Sequence, residues 1–232
     1  MLIGGIQKMT LIDYPSKVAA IIFTVGCNFR CRFCYNTRLV NPKLFKDFET
    51  IEEEEIIMFL KTRIGKLDAV VITGGEPTLQ FDLKIFIKKI KNMGFLVKLD
   101  TNGTNPNIIV DLLNEKLVDY IAMDIKNDLT ENNYQKIVNT NVDIKAIKKS
   151  IDLITNSGID YEFRTTAAPG VTKESIKNIV NYIKGAKKYY LQEFQAGEVL
   201  DNTCKQNKWL TKDELILMVE EIKNYFNDCQ VR

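Results

Sequence analysis

Val18-Ala19-Ala20-Ile21-Ile22-Phe23-Thr24-Val25-Gly26-Cys27-Asn28-Phe29-Arg30-Cys31-Arg32-Phe33-Cys34-Tyr35 is the stretch that orders the rest of the chain, because an apolar, β-branched run passes directly into three thiols. Residues 18–24 have the length and composition of a buried strand. The residues after that run are polar and reactive, so chemistry sits at the end of the strand. Three of the five cysteines fall within eight residues, which suits a metal site in a reduced compartment better than a disulfide framework.

The same rhythm of a short apolar run followed by an amphipathic segment recurs along the chain. Residues 3–12 are mixed, and Asp13-Tyr14-Pro15-Ser16 is turn chemistry. Thr50 is read as the cap of a helix whose first turn holds Glu52, Glu53, Glu54 and Glu55, acids that suit its dipole. The pattern predicts further strands at 69–73, 95–99, 120–123, 161–166 and 189–194. Helices are predicted at about 82–93, 108–115, within 141–156, at 172–184 and at 211–227. Six strand-then-helix units argue for parallel strands joined by right-handed crossovers, in a doubly wound sheet or a barrel. The expected organisation is one α/β domain over 1–232, with a core of about 18–195 and a closing helix at 211–227. Cys27, Gly74, Gly75, Glu76, Asp100, Asn102, Asp124, Lys126 and Gln195 all fall at or just past a strand's C-terminal end. That is where α/β proteins assemble their sites.

Composition removes several function classes. The chain has no histidine, so a histidine base, an imidazole-ligated zinc and a Ser/His or Cys/His couple are all excluded. Its 32 basic and 30 acidic side chains leave a net charge of +2, too little to suggest nucleic-acid binding. The longest apolar run, residues 18–25, is far too short to span a membrane, and no signal-peptide pattern opens the sequence. The expectation is a cytoplasmic protein with neither a nucleic-acid nor a membrane partner.

Thiolates at i, i+4 and i+7 can each take one iron of a cubane and leave the fourth iron open to a chelating cofactor such as S-adenosylmethionine. A structural zinc site completed by Cys204 or Cys229 is the plain alternative, and a non-catalytic metal-binding module goes with it. The other residues have plain readings too. Gly74-Gly75 could be a turn with a solvated Glu76, Asp100-Thr101-Asn102-Gly103 a turn or cap, Lys126 a surface lysine and Arg164 a packed ion pair.

The motifs taken together resemble a known family. Cys27-x3-Cys31-x2-Cys34 with Phe33 before the third cysteine is similar to the radical SAM signature. Ile12-Asp13-Tyr14-Pro15, Gly26-Cys27-Asn28, Gly74-Gly75-Glu76-Pro77-Thr78, Asp100-Thr101-Asn102-Gly103 and Met123-Asp124-Ile125-Lys126 resemble the activating enzymes of glycyl radical enzymes, most closely the anaerobic ribonucleoside-triphosphate reductase activating group. The resemblance covers about 3–195.

It implies a partial (β/α)6 TIM-like barrel of the radical SAM type. Cys27, Cys31 and Cys34 would hold one 4Fe-4S cluster, and Phe33 would lie against the adenine of S-adenosylmethionine with Tyr35 close by. Gly74, Gly75 and Glu76 would receive the methionine amino group, and Asn102 belongs to the neighbouring strand-end motif. Lys126 and Arg164 would contact the cofactor's polar groups, and Asp100 and Asp124 match carboxylates that help hold a monovalent cation. Gln195 stands where a more distant relative has a histidine.

The implied reaction is reductive cleavage to methionine and a 5′-deoxyadenosyl radical, which takes a hydrogen from a glycine of a partner enzyme. The implied partners are a glycyl radical enzyme, first of all anaerobic ribonucleotide reductase, and a low-potential donor such as ferredoxin or flavodoxin. A radical SAM enzyme acting on a small molecule is the alternative.

Overall fold

In the computed structural model, which describes residues 1–44 and 48–232, the elements follow the expected alternation. They are β1 (Ile3–Thr10), β2 (Ala19–Thr24), α1 (Thr37–Val40), α2 (Glu53–Lys61), β3 (Ala69–Gly74), α3 (Leu83–Asn92), β4 (Leu96–Thr101), α4 (Pro106–Asn114), β5 (Tyr120–Asp124), α5 (Glu131–Val138), α6 (Ile144–Thr155), β6 (Asp160–Thr166), α7 (Lys173–Ile183), β7 (Lys188–Gln192), α8 (Lys212–Ile222) and β8 (Asp228–Val231). The strands form an open sheet in sequence order, β1 to β8. This is the unclosed α/β arrangement of a partial TIM-like barrel, as the sequence led one to expect.

The chain divides into two compact units. The first comprises 1–28, 38–101 and 107–121, and the second 29–37, 102–106 and 122–232. In the first, β1 pairs antiparallel with β2, and β2 to β4 run parallel. Ala19, Ala20 and Ile22 of β2 and Ala69, Val70 and Ile72 of β3 are fully buried. Covered on both faces, these strands read as continuous apolar runs rather than alternating ones. Helix α3 supplies Phe86, Ile87 and Ile90 from one face, the 3.6-residue stripe its sequence shows. In the second unit, β6, β7 and β8 are parallel, and Tyr161, Phe163 and Tyr189 fill the core.

Three expectations need correction. Residues 3–10 form a strand, although their alternation is weak. Ile51 bridges Ile3, so α2 starts at Glu53, and its cap position is Glu52 instead of Thr50. The closing helix stops at Ile222, and residues 228–231 become β8 beside β7. Phe226, which turns inward against Tyr189 with ring centroids 5.3 Å apart, marks the exit from the helix. No helix of the described residues is long and apolar enough to cross a membrane.

Candidate active site

The first unit presents Cys27, Gly74, Gly75, Glu76 and Asp100. Strand β3 runs into Gly74-Gly75 alongside the turn after β2. The Gly75 N–H donates to the Thr24 carbonyl at 2.9 Å and the Glu76 N–H to the Gly26 carbonyl at 2.8 Å. A methyl group on Gly75 would lie 2.0 Å from the Gly26 oxygen, and one on Gly74 would lie 2.5 Å from the Thr24 backbone. Gly74 also holds a φ of 113°, where a side chain is strained. Close backbone approach is thus what demands both glycines, and it joins their loop to the residue preceding Cys27.

Glu76 is not solvated. Its buried carboxylate accepts from the Thr78 N–H at 3.1 Å, the Thr78 hydroxyl at 2.5 Å and the Thr101 hydroxyl at 2.7 Å. It caps the short turn over Pro77–Leu79. Asp100 lies 3.2 Å from the ammonium of Lys98. Lys98 is itself buried, donates to the Asp13 carbonyl at 2.6 Å, and sits 5.6 Å from the centre of the Tyr120 ring. The Asp13-Tyr14 motif and Asp100 are therefore tied through a lysine that sequence patterning passed over. A lone lysine inside an apolar strand was the available signal.

The second unit presents Cys31, Phe33, Cys34, Tyr35, Asn102, Asp124, Lys126, Arg164 and Gln195. Its cysteine loop is pinned from both sides. The Arg30 N–H donates to the Val138 carbonyl at 2.8 Å, while Leu200 and Asp201 donate from their N–H groups to the carbonyls of Cys34 and Arg32 at 3.0 and 2.9 Å. The Tyr35 hydroxyl donates to the Gln195 carbonyl at 3.1 Å and accepts from the Gln195 N–H at 2.7 Å. Its ring stacks on Phe194, which meets Trp209 edge-on. Gln195 thus holds Tyr35 through its backbone, while its side chain is exposed. Cys31 and Phe33 are buried, and burial pushes the Cys34 thiol up from its ordinary value. All five cysteines are outside any disulfide.

Asn102 makes a turn, its side-chain oxygen accepting from the Thr104 N–H at 3.0 Å and the Thr104 hydroxyl at 2.7 Å. Asp124, at the end of β5, accepts from Lys126 at 2.9 Å and Arg164 at 2.8 Å. Burial opposes its ionisation, but the two cations overcome that and hold it well below the usual carboxylate range. Burial likewise opposes the charge on Lys126, and Asp124 more than restores it. The Lys126 ammonium also stands 5.8 Å from the centre of the Phe33 ring.

The ion pairs continue outward. Arg164 lies 3.7 Å from the buried Glu162, which lies 3.5 Å from Arg232. Arg232 rests 3.4 Å over the Tyr190 ring, and the Tyr190 hydroxyl donates to Asp228 at 2.5 Å. Glu162 and Arg232 were not recognised from sequence, because the i, i+2 spacing of Glu162 and Arg164 on β6 looks like an ordinary strand face until β8 is placed.

Comparison with known proteins agrees with this arrangement. The model of the Radical SAM superfamily matches residues 21–183. A protein of Methanocaldococcus jannaschii named a glycyl-radical enzyme activating enzyme is 36% identical over 237 residues, covering 100% of this chain and 95% of its own. The GTP 3′,8-cyclase of Staphylococcus aureus is 26% identical over 89% of this chain and 62% of its own. Streptococcus suis SuiB bound to S-adenosylmethionine shares the fold, with a TM-score of 0.70 and 16% identity over 90% of this chain and 49% of that one. With most of its length inside the family model, and with thiols, glycines and carboxylates at successive strand ends, the chain belongs to the radical SAM superfamily.

Proposed function

We propose that this protein is an activase that places a glycyl radical on a partner enzyme, in the first instance anaerobic ribonucleoside-triphosphate reductase. The observation that carries the proposal is the match to the M. jannaschii activating enzyme along both chains nearly end to end. The similarity to the small-molecule cyclase leaves over a third of that protein unmatched.

The residues present suit the family's cofactors. Cys27, Cys31 and Cys34 would hold the 4Fe-4S cluster. Among the described residues no set of three or more cysteine and carboxylate side chains is gathered as a metal group, so this assignment rests on spacing and family. The carbonyls of Arg32 and Cys34 are occupied by Leu200 and Asp201, which fixes the loop backbone without using its thiols. When bound, the cluster and S-adenosylmethionine supply the one-electron chemistry that ends with loss of a hydrogen atom from a glycine.

The chain's own residues bind and orient. Phe33 offers a flat apolar face for an adenine. Lys126 and Arg164, held in place by Asp124, offer paired donors for a carboxylate. The backbone of the Gly74-Gly75-Glu76 loop, packed closely against the turn before Cys27, would receive the cofactor's ammonium. A monovalent cation is not needed in this proposal, since Lys98 sits on Asp100 and Lys126 and Arg164 sit on Asp124.

The test is anaerobic incubation of the reconstituted protein with S-adenosylmethionine, reductant and the reductase, followed by electron paramagnetic resonance. A glycyl radical signal dependent on all components is expected. Cofactor cleavage without any such signal would move the assignment to a small-molecule substrate.

A further inference from the structure

Beyond Arg164, the second unit holds a charged pair that the proposed binding roles leave unused. Glu162 and Arg164 stand two residues apart on β6 and so share a face. Register sets Arg164 beside Tyr190 of β7, and Tyr190 beside Gln230 of β8. Arg232, two residues past Gln230, continues that face, and its guanidinium lies 3.4 Å over the Tyr190 ring and 3.5 Å from Glu162. The carboxylate of Glu162 is buried at 1% exposure and its two oxygens are divided, one 3.7 Å from an Arg164 nitrogen and the other directed to Arg232. Arg164 is held through a different nitrogen by Asp124, which also holds Lys126. Lys126, Asp124, Arg164, Glu162 and Arg232 thus form a row of alternating charge. Asp228 stands outside this row, its carboxylate accepting from the Tyr190 hydroxyl and the Gln230 amide.

We propose that Glu162 and Arg232 are positioning residues that set how strongly Arg164 receives an incoming carboxylate. This role rests on the reading that Arg164 binds the carboxylate of S-adenosylmethionine. A buried carboxylate beside Arg164 steadies its guanidinium, but it also competes with a ligand anion for the same charge. Arg232 draws on the second oxygen of Glu162 and weakens that competition. Without Arg232, the charge of Glu162 bears more heavily on Arg164, and a ligand carboxylate is bound less tightly. With Glu162 made neutral as well, the competition ends and the affinity returns. Deleting a partner would not rescue a residue that merely kept β8 in place.

The test is anaerobic calorimetric titration of the reconstituted, unreduced protein with S-adenosylmethionine and with 5′-methylthioadenosine, which keeps the adenosine and lacks the carboxylate. Arg232→Met should weaken S-adenosylmethionine binding about tenfold and leave 5′-methylthioadenosine binding unchanged. The double variant Glu162→Gln, Arg232→Met should recover most of that loss, and Arg232→Lys, which keeps the charge, should bind like wild type. Wild-type affinity in Arg232→Met, equal losses for both ligands, no recovery in the double variant, or an Arg232→Lys as weak as Arg232→Met would overturn the positioning role. If Arg232→Met does not fold, Glu162→Gln alone decides: it should bind S-adenosylmethionine at least as tightly as wild type, and weaker binding would overturn the role. Arg164→Met should lose affinity for S-adenosylmethionine alone; wild-type binding there would sink the carboxylate reading beneath, whatever Arg232 does.

Discussion

Gly75 and Asp124 show how far individual side chains are committed to holding the site. Replacing Gly75 by alanine drives a methyl to 2.0 Å from the Gly26 oxygen. Because both sides of the contact are backbone, relief requires moving the turn before Cys27, at a cost of about 3 kcal/mol. Thermal denaturation should show Gly75→Ala clearly less stable than wild type, whereas Gly197→Ala, which meets open space, should be neutral. Asp124→Asn leaves Lys126 and Arg164 without their shared carboxylate, and breaking such a partly buried set costs about 3 kcal/mol. Urea denaturation at neutral pH should report that loss. Because the wild-type carboxylate is held well below its usual range, its contribution is present above the ordinary carboxylate pKa and fades only as the pH falls far below it. Sequence spacing could nominate Gly75 and Asp124. It could not show that the Glu76 carboxylate is buried, because its second tether is the Thr101 hydroxyl, which arrives from a different strand.

The segment after β7 and the edge strand β8 are the elements that patterning read least well. The backbone of Gln195 holds the Tyr35 hydroxyl, while Leu200 and Asp201 hold the loop carbonyls. None of these contacts depends on side-chain type along that segment, so no motif reveals them. Tyr35→Phe removes the two hydrogen bonds and keeps the stack on Phe194. It should broaden the electron paramagnetic resonance spectrum of the reduced, reconstituted protein while leaving the melting temperature within a few degrees of wild type. An unchanged spectrum would mean that Tyr35 does not position the loop. Strand β8 was hidden because residues 223–227 were read as the end of the closing helix and the four residues after them are too few to announce a strand, so only pairing with β7 reveals it. Its Cys229 is pushed up to about 12 by burial, from an ordinary 9.0. The folded chain then keeps a proton that the unfolded chain releases, so stability falls as the pH rises from about 9 toward 12. Urea midpoints at pH 8 and 10.5 should diverge less in Cys229→Ala than in wild type.

Across the whole chain, the alternation of short buried strands with amphipathic helices carried the architecture, because parallel strands covered on both faces leave a strong, local apolar signal. The six strand-and-helix units and the polar residues at their ends were legible for that reason. The flanking strands β1 and β8 were not, since edge strands carry mixed sequences and are defined by their partners. The same division holds for the chemistry: residues within a short motif, such as Cys27, Cys31 and Cys34, could be read directly. Glu162 and Arg232 acquire meaning only through the ion pair that joins β6 to the residue after β8, and Lys98 only through its bond to the distant Asp13 carbonyl. The most direct test of the central assignment is electron paramagnetic resonance of the anaerobically reconstituted, reduced protein before and after addition of S-adenosylmethionine. A 4Fe-4S spectrum that shifts when S-adenosylmethionine is added, and that is lost in Cys31→Ala, is the predicted result. Protein that takes up zinc instead, or a cluster spectrum indifferent to the cofactor, would contradict it.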